Sequence, residues 1–146
     1  MFPLFNVEWS VAEARANGNA CIVPASPSGT SHAALQACAT AQANHATALG
    51  AELEAEVDGK PLQSLTNYRA VSPPFAFKTV AGNPFGLCPA DGSCPLTSRA
   101  VADGFWIILD PPLSAGKHTI HFLAQVPFPE LNFTFKTETT YHLTVG

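Results

Sequence analysis

From Ala51 to Val57 an acidic residue follows an apolar one at every step, AELEAEV, and this period of two leaves little choice of local structure. In an extended strand Leu53, Ala55 and Val57 share one face and Glu52, Glu54 and Glu56 the other, so one side meets a core and the other meets water. Asp58-Gly59 follows as a hairpin turn signal. The same alternation opens the chain: in FNVEWS, Phe5, Val7 and Trp9 lie on one side and Asn6, Glu8 and Ser10 on the other. YRAVSPPFAFKTV is a further extended piece, in which Pro73 and Pro74 argue for an edge or a bend and Phe75 and Phe77 are expected to point inward. FWIILD is apolar on both faces and reads as a central strand. PPLSAGK is a turn with Gly116 at the position that needs a positive φ. It leads into HTIHFLAQV, and LNFTFKTETTYHLTV closes the chain as one long strand or as two with a bulge between them.

One segment breaks the pattern. SHAALQACATAQANHATAL is Ala-rich, so a helix is expected from Ser31 to about Leu49, with Thr30 or Ser31 as cap and Gly50 as stop. Its apolar face is shallow and suits a helix laid against a sheet. With no internal repeat and no linker, the expectation is a single domain over residues 1–146. That domain is mainly β, an antiparallel β-sandwich or jelly roll with one Ala-rich helix.

Composition excludes several classes of function. Hydrophobic residues make up 47% of the chain and charged residues 12%, with ten Phe, which rules out disorder despite 13 Pro. The net charge is −4, and Arg15, Lys60, Arg69, Lys78, Arg99, Lys117 and Lys136 are scattered singly, so the basic stripe that nucleic acid requires is missing. No apolar run approaches the roughly 20 residues of a membrane-spanning helix. The four cysteines have even parity and lack the paired C-x2-4-C spacing of structural zinc. Cys88 and Cys94 bracket the turn-forming PADGS, which brings their ends together, and Cys21 and Cys38 then pair by elimination. Disulfides point to an extracytoplasmic, oxidising compartment, periplasmic or secreted. MFPLFNVEWS has no basic n-region or cleavage site, so an export signal would be missing from this chain.

VDGKPLQSLTNYRAVSPPFAF, NPFGL, AVADGFW and GKHTIHF together resemble a group of uncharacterised exported bacterial β-rich proteins. The likeness runs from Phe2 to Val145. It implies export and a β architecture and assigns no activity or residue role.

Candidate chemistry rests on the histidines. Ser114 to Lys117 matches S-x-x-K, but a turn between strands is the wrong setting for a pair that needs a helix start. His32 and His45 fall in the helix, on its expected exposed side. His118 and His121 are three apart on a strand and point to opposite faces. His142 alternates with Thr140 and Thr144 on a polar face opposite Tyr141, Leu143 and Val145. If the first and last strands are neighbours, Glu8, with Asn6 as a binding residue beside it, would face His142 and one of His118 or His121. Two imidazoles and a carboxylate would then hold a divalent metal such as zinc with an open position for an activated water. Asp103 would orient a ligand His or act as the catalytic base. A metal-dependent hydrolase of ester or phosphoester substrates follows from that set. Two other classes remain: a non-catalytic module binding a carbohydrate or another small molecule, with Trp9, Trp106, Tyr68 or Tyr141 as stacking surfaces, and a structural or partner-binding domain.

Overall fold

The computed structural model describes residues 1–23, 26–83, 86–88, 94, 96–129 and 132–146. The described chain is mainly β, with strands β1 (Phe2–Ser10), β2 (Glu52–Val57), β3 (Lys60–Pro61), β4 (Arg69–Val71), β5 (Phe75–Lys78), β6 (Thr97–Ile107), β7 (Gly116–Phe128) and β8 (Phe133–Val145). Two helices, α1 (Val11–Ala16) and α2 (His32–Ala48), and a 3-10 turn at Leu65–Tyr68 complete it. The strands form two antiparallel sheets. One has the order β1-β6-β4, with β5 also paired to β6, and the other the order β3-β2-β7-β8. Two compact units interleave along the sequence: Met1–Asn6, Asn44–Ala70 and Gly104–Gly146 form the first, Val7–Ala43 and Val71–Asp103 the second.

In the first unit the alternation of AELEAEV decides the register. Leu53, Ala55 and Val57 face Ala124, Phe122 and Ile120 across β7, while Glu52, Glu54 and Glu56 lie opposite Gln125, Leu123 and His121 on the wet face. Any one-residue slip would exchange the two rows, which is why the pairing is specified so strongly. Asp58 (φ 52) and Gly59 (φ 72) both take the left-handed conformation of a two-residue hairpin turn between β2 and β3. The inner row is closed by aromatic contacts from β1: Phe2 stacks on Phe122 with centroids 5.5 Å apart, and Phe5 meets Phe135 edge-on at 5.9 Å. Within this unit β1 therefore covers the second sheet in the manner of a sandwich. Its edge pairing is with β6, and β8 pairs with β7, so the first and last strands are not partners in one sheet.

The second unit gathers Trp9, Ala14, Leu35, Cys38, Ala39 and Val101 into a buried cluster. Helix α2 supplies its small side chains as the Ala-rich stretch suggested. Ser31 caps it by accepting from the Ala34 N–H at 3.2 Å, and Gly50 (φ 84) lets the chain turn out of it. The disulfide Cys21–Cys38 ties the segment before α2 to this cluster, and Cys88–Cys94 closes the second bridge, each with Cα atoms 5.6 Å apart.

Several expectations need correction. Helix α1 had no place in the sequence reading, although Ser10 and Glu13 form a complete capping box at its start. Central strand β6 begins at Thr97 rather than Phe105 and ends at Ile107, leaving Ile108 exposed. The Pro pair separates β4 from β5, and Phe75 is exposed beside Phe77 instead of pointing inward. His32 is exposed as expected, whereas His45 is half-buried with its ring 6.4 Å from that of Phe128. The closing strand is unbroken over Phe133–Val145, Leu131 lying outside the described residues.

Candidate functional site

Glu8, on β1 in the second unit, faces the capping box of α1. Glu13, three residues into the helix, accepts hydrogen bonds from the Ser10 N–H at 2.9 Å and the Ser10 hydroxyl at 2.6 Å. The Glu8 carboxyl hydrogen-bonds the same Glu13. Burial first, then the Glu13 charge and that hydrogen bond, push its pKa up to about 8. At neutral pH Glu8 is thus an uncharged acid donating to a carboxylate, and its Oε1 is buried with no hydrogen-bond partner. The carboxylate beside Trp9 is a proton-sharing partner of a helix cap.

His118, His121 and His142 belong to the first unit, and each has its own partner or setting. His118 lies opposite Leu143, with His121 and His142 on the other face of the sheet. His118 Nδ1 is 2.7 Å from Asp58 Oδ2 and its Nε2 is 2.9 Å from the Ser114 carbonyl oxygen. Both neighbours can only accept, so the protonated ring, donating from both nitrogens, is the form that satisfies both at once. Asp58, by its hydrogen bond, raises the His118 pKa above its usual value, and the same bond lowers that of Asp58, whose Oδ1 also accepts from the Thr119 N–H at 2.8 Å. His121 Nε2 lies 3.3 Å from Glu138, which also pairs with Lys136 at 2.9 Å. His142 is exposed opposite Thr119, and Asn6 is exposed at the end of its unit. Among the described residues no three His, Cys, Asp or Glu side chains are grouped so that they could hold a metal ion. Asp103, in the second unit, is fully buried with an interaction of its own.

The feature with the shape of a binding site is elsewhere in the first unit. A cleft of about 500 Å³ opens among Phe2, Ile108, Leu109, Leu113, Ile120, Tyr141, Leu143 and their neighbours. Every lining side chain is apolar except Tyr141, whose hydroxyl is the single polar side-chain group. The cleft follows from the alternation at the end of β8: Tyr141, Leu143 and Val145 form the inner row while His142 and Thr144 face outward. Its other wall is the loop 108–115, in which the cis Asp110-Pro111 bond turns the chain. A smaller recess of about 330 Å³ lies across the same loop, with Asp58, Lys60, Asp110 and Leu113 in its wall. His118 thus holds Ser114 of the loop that separates the two hollows.

Of the aromatic candidates for stacking, Trp9 is buried in the core, Trp106 is half-buried, and Tyr68 is exposed. Tyr141 alone lines the cleft. Alternation alone puts Tyr141, Leu143 and Val145 on one face, and of these Tyr141 was expected as a stacking surface. Ile108 and Leu109 are hidden in sequence by the unbroken apolar run of FWIILD, and Leu113 by the turn chemistry of PPLSAGK. Comparison finds no protein-family model, no curated protein and no solved structure that matches the chain.

Proposed function

We propose that this chain is a non-catalytic binding domain for a neutral, largely apolar small molecule carrying at most one hydrogen-bonding group, and that it works in an extracytoplasmic compartment. The observation that carries the reading is the cleft. Its volume of about 500 Å³ lies in the range of small-molecule sites, and its lining side chains offer hydrocarbon contact with one hydroxyl and no charged group. A sugar would leave most of its hydroxyls unpaired there, at a cost of about 1–3 kcal/mol each, so an alkyl or aryl ligand fits better than a carbohydrate. The two disulfides favour an oxidising compartment. The hydrolase reading has no metal-holding group of side chains behind it among the described residues, and the side chains that line the cleft include no pair of nucleophile and base.

The test is a homologous series of straight-chain alcohols competing with a fluorescent naphthylamine for the cleft. Each added methylene buries about 0.8 kcal/mol of transfer free energy, so affinity should rise about three- to fourfold per carbon until the cleft is filled. Leu143→Glu, at a half-exposed position that can carry a charge without unfolding the sheet, should abolish binding. No saturable binding, or an affinity indifferent to chain length and to Leu143→Glu, would remove the proposal.

A further inference from the structure

The two edges of the sheet β3-β2-β7-β8 are built in contrasting ways. At one edge β3 is two residues long and consists of Lys60 and Pro61, both of which discourage further pairing. At the other, β8 runs for 13 residues without a proline, rich in Thr and aromatic residues, and pairs only with β7 among the described residues. Its outer backbone groups are therefore a long free ladder. Phe133 (54% exposed) and Tyr141 (43%) stand out on its apolar row with Phe135 and Leu143. The only formal charges along it are Lys136 and Glu138.

We propose that β8 is an association edge for a second copy of the same chain, the two strands pairing antiparallel about a two-fold axis through Thr137. The charges select this register. Residues that oppose each other must share a sheet face, so the axis passes through a residue position. Centred on residue 136 it sets Lys136 against its own copy, and centred on 138 it sets Glu138 against its own copy. Centred on 139 it sets Lys136 against His142. Centred on Thr137, Lys136 of each copy faces Glu138 of the other, twice over, and on the apolar row Phe133 faces Tyr141, the two most exposed aromatic rings of the strand. Antiparallel pairing joins the two sheets into one and satisfies the free ladder of both copies. Tyr141 and Leu143 belong both to this row and to the wall of the cleft, while Lys136, Thr137 and Glu138, which set the register, lie outside it.

Three measurements test this. In sedimentation equilibrium the wild type should show a concentration-dependent dimer. K136E, which sets carboxylates against carboxylates at both contacts, should weaken it at least about tenfold, and the double exchange K136E/E138K should restore it. The four native cysteines are all in disulfides, so a single introduced thiol is a clean probe of register. Thr137→Cys should be joined to its copy by a short bismaleimide, while Thr140→Cys, about 20 Å from its counterpart in this register at about 3.3 Å per residue, should not. If K136E fails to fold by circular dichroism, the cross-linking pair still decides. A monomer at every concentration would overturn the proposal. So would cross-linking at Thr140→Cys in preference to Thr137→Cys, or a double exchange that fails to restore association.

Discussion

Replacing Glu8 with glutamine removes a proton that the fold holds against solution. The folded pKa is about 8 against an ordinary value of 4.5, so between those limits the folded chain binds a proton that the unfolded chain has released. Stability therefore falls as pH rises from about 4.5 to about 8 and levels off above it. At about 1.4 kcal/mol per pH unit a fully enclosed group would contribute about 5 kcal/mol to that fall. Glu8 is only half-buried, so solvent screening reduces the expected figure to about 1–2 kcal/mol. A glutamine amide reproduces the neutral acid, donating to Glu13 from one atom and placing its oxygen where the unpartnered Oε1 sits. Glu8→Gln should match wild type near pH 4.5 and exceed it by about 1–2 kcal/mol at pH 9, or about 3–6 °C in Tm for a chain of this size. Paired thermal melts of wild type and Glu8→Gln at pH 4.5, 7 and 9 measure this, with the difference between the two proteins isolating Glu8 from every other titrating group. A variant less stable than wild type at pH 9, or a difference that does not change with pH, would refute the shared proton.

His118 should titrate above its ordinary 6.5 in an NMR titration of its ring protons. Because its pKa is raised, its contribution to stability is complete below 6.5 and is lost as pH climbs through the higher folded value, while that of Asp58 is lost only as pH falls through a value below 3.8. A ring that titrates at or below 6.5 contradicts the imidazolium clamp. Gly104→Ala should cost about 2–4 kcal/mol in chemical denaturation, since a Cβ there meets the Phe5 carbonyl oxygen and the Asn6 backbone, neither of which can yield. A cost under about 0.5 kcal/mol would show that β1 can retreat. Removing Cys21–Cys38 with a double serine variant should cost about 3 kcal/mol, and removing Cys88–Cys94 less, about 2 kcal/mol, because sequence separations of 17 and 6 close loops of different length. Equal costs would point to effects in the native state rather than to the unfolded chain.

The parts of the fold that were legible in the sequence are those where one local rule acted alone. AELEAEV-DG fixed a strand, its wet face and its turn, and the Ala-rich stretch fixed α2, because alternation, turn chemistry and propensity agreed there. Cys88 and Cys94 pair as the turn chemistry of PADGS suggests, residues 89–93 themselves lying outside the described residues. Reading failed where a residue serves two purposes. Gly104 in ADGFW resembles a turn glycine, yet it sits in mid-strand because the β1 backbone passes too close for a side chain. SVAE carries a capping box that was not read as one. Glu8 looked like a ligand or a solvated residue because its partner, Glu13, is reached only after the chain bends into α1. The cleft was half visible, in the row Tyr141, Leu143 and Val145. The other half depended on β6 ending at Ile107 and on the loop 108–115 folding back, which no local pattern encodes.

If the apolar cleft of the first unit takes an apolar ligand as proposed, methyl NMR of the protein titrated with a straight-chain alcohol such as decanol will show it. The methyl signals of Ile108, Leu113, Leu143 and Val145 should move together along one saturable isotherm, while those of Val101 and Leu35, in the cluster of the second unit, should stay in place. Signals that do not move, or movement that is unsaturable and spread over both units, would contradict the account.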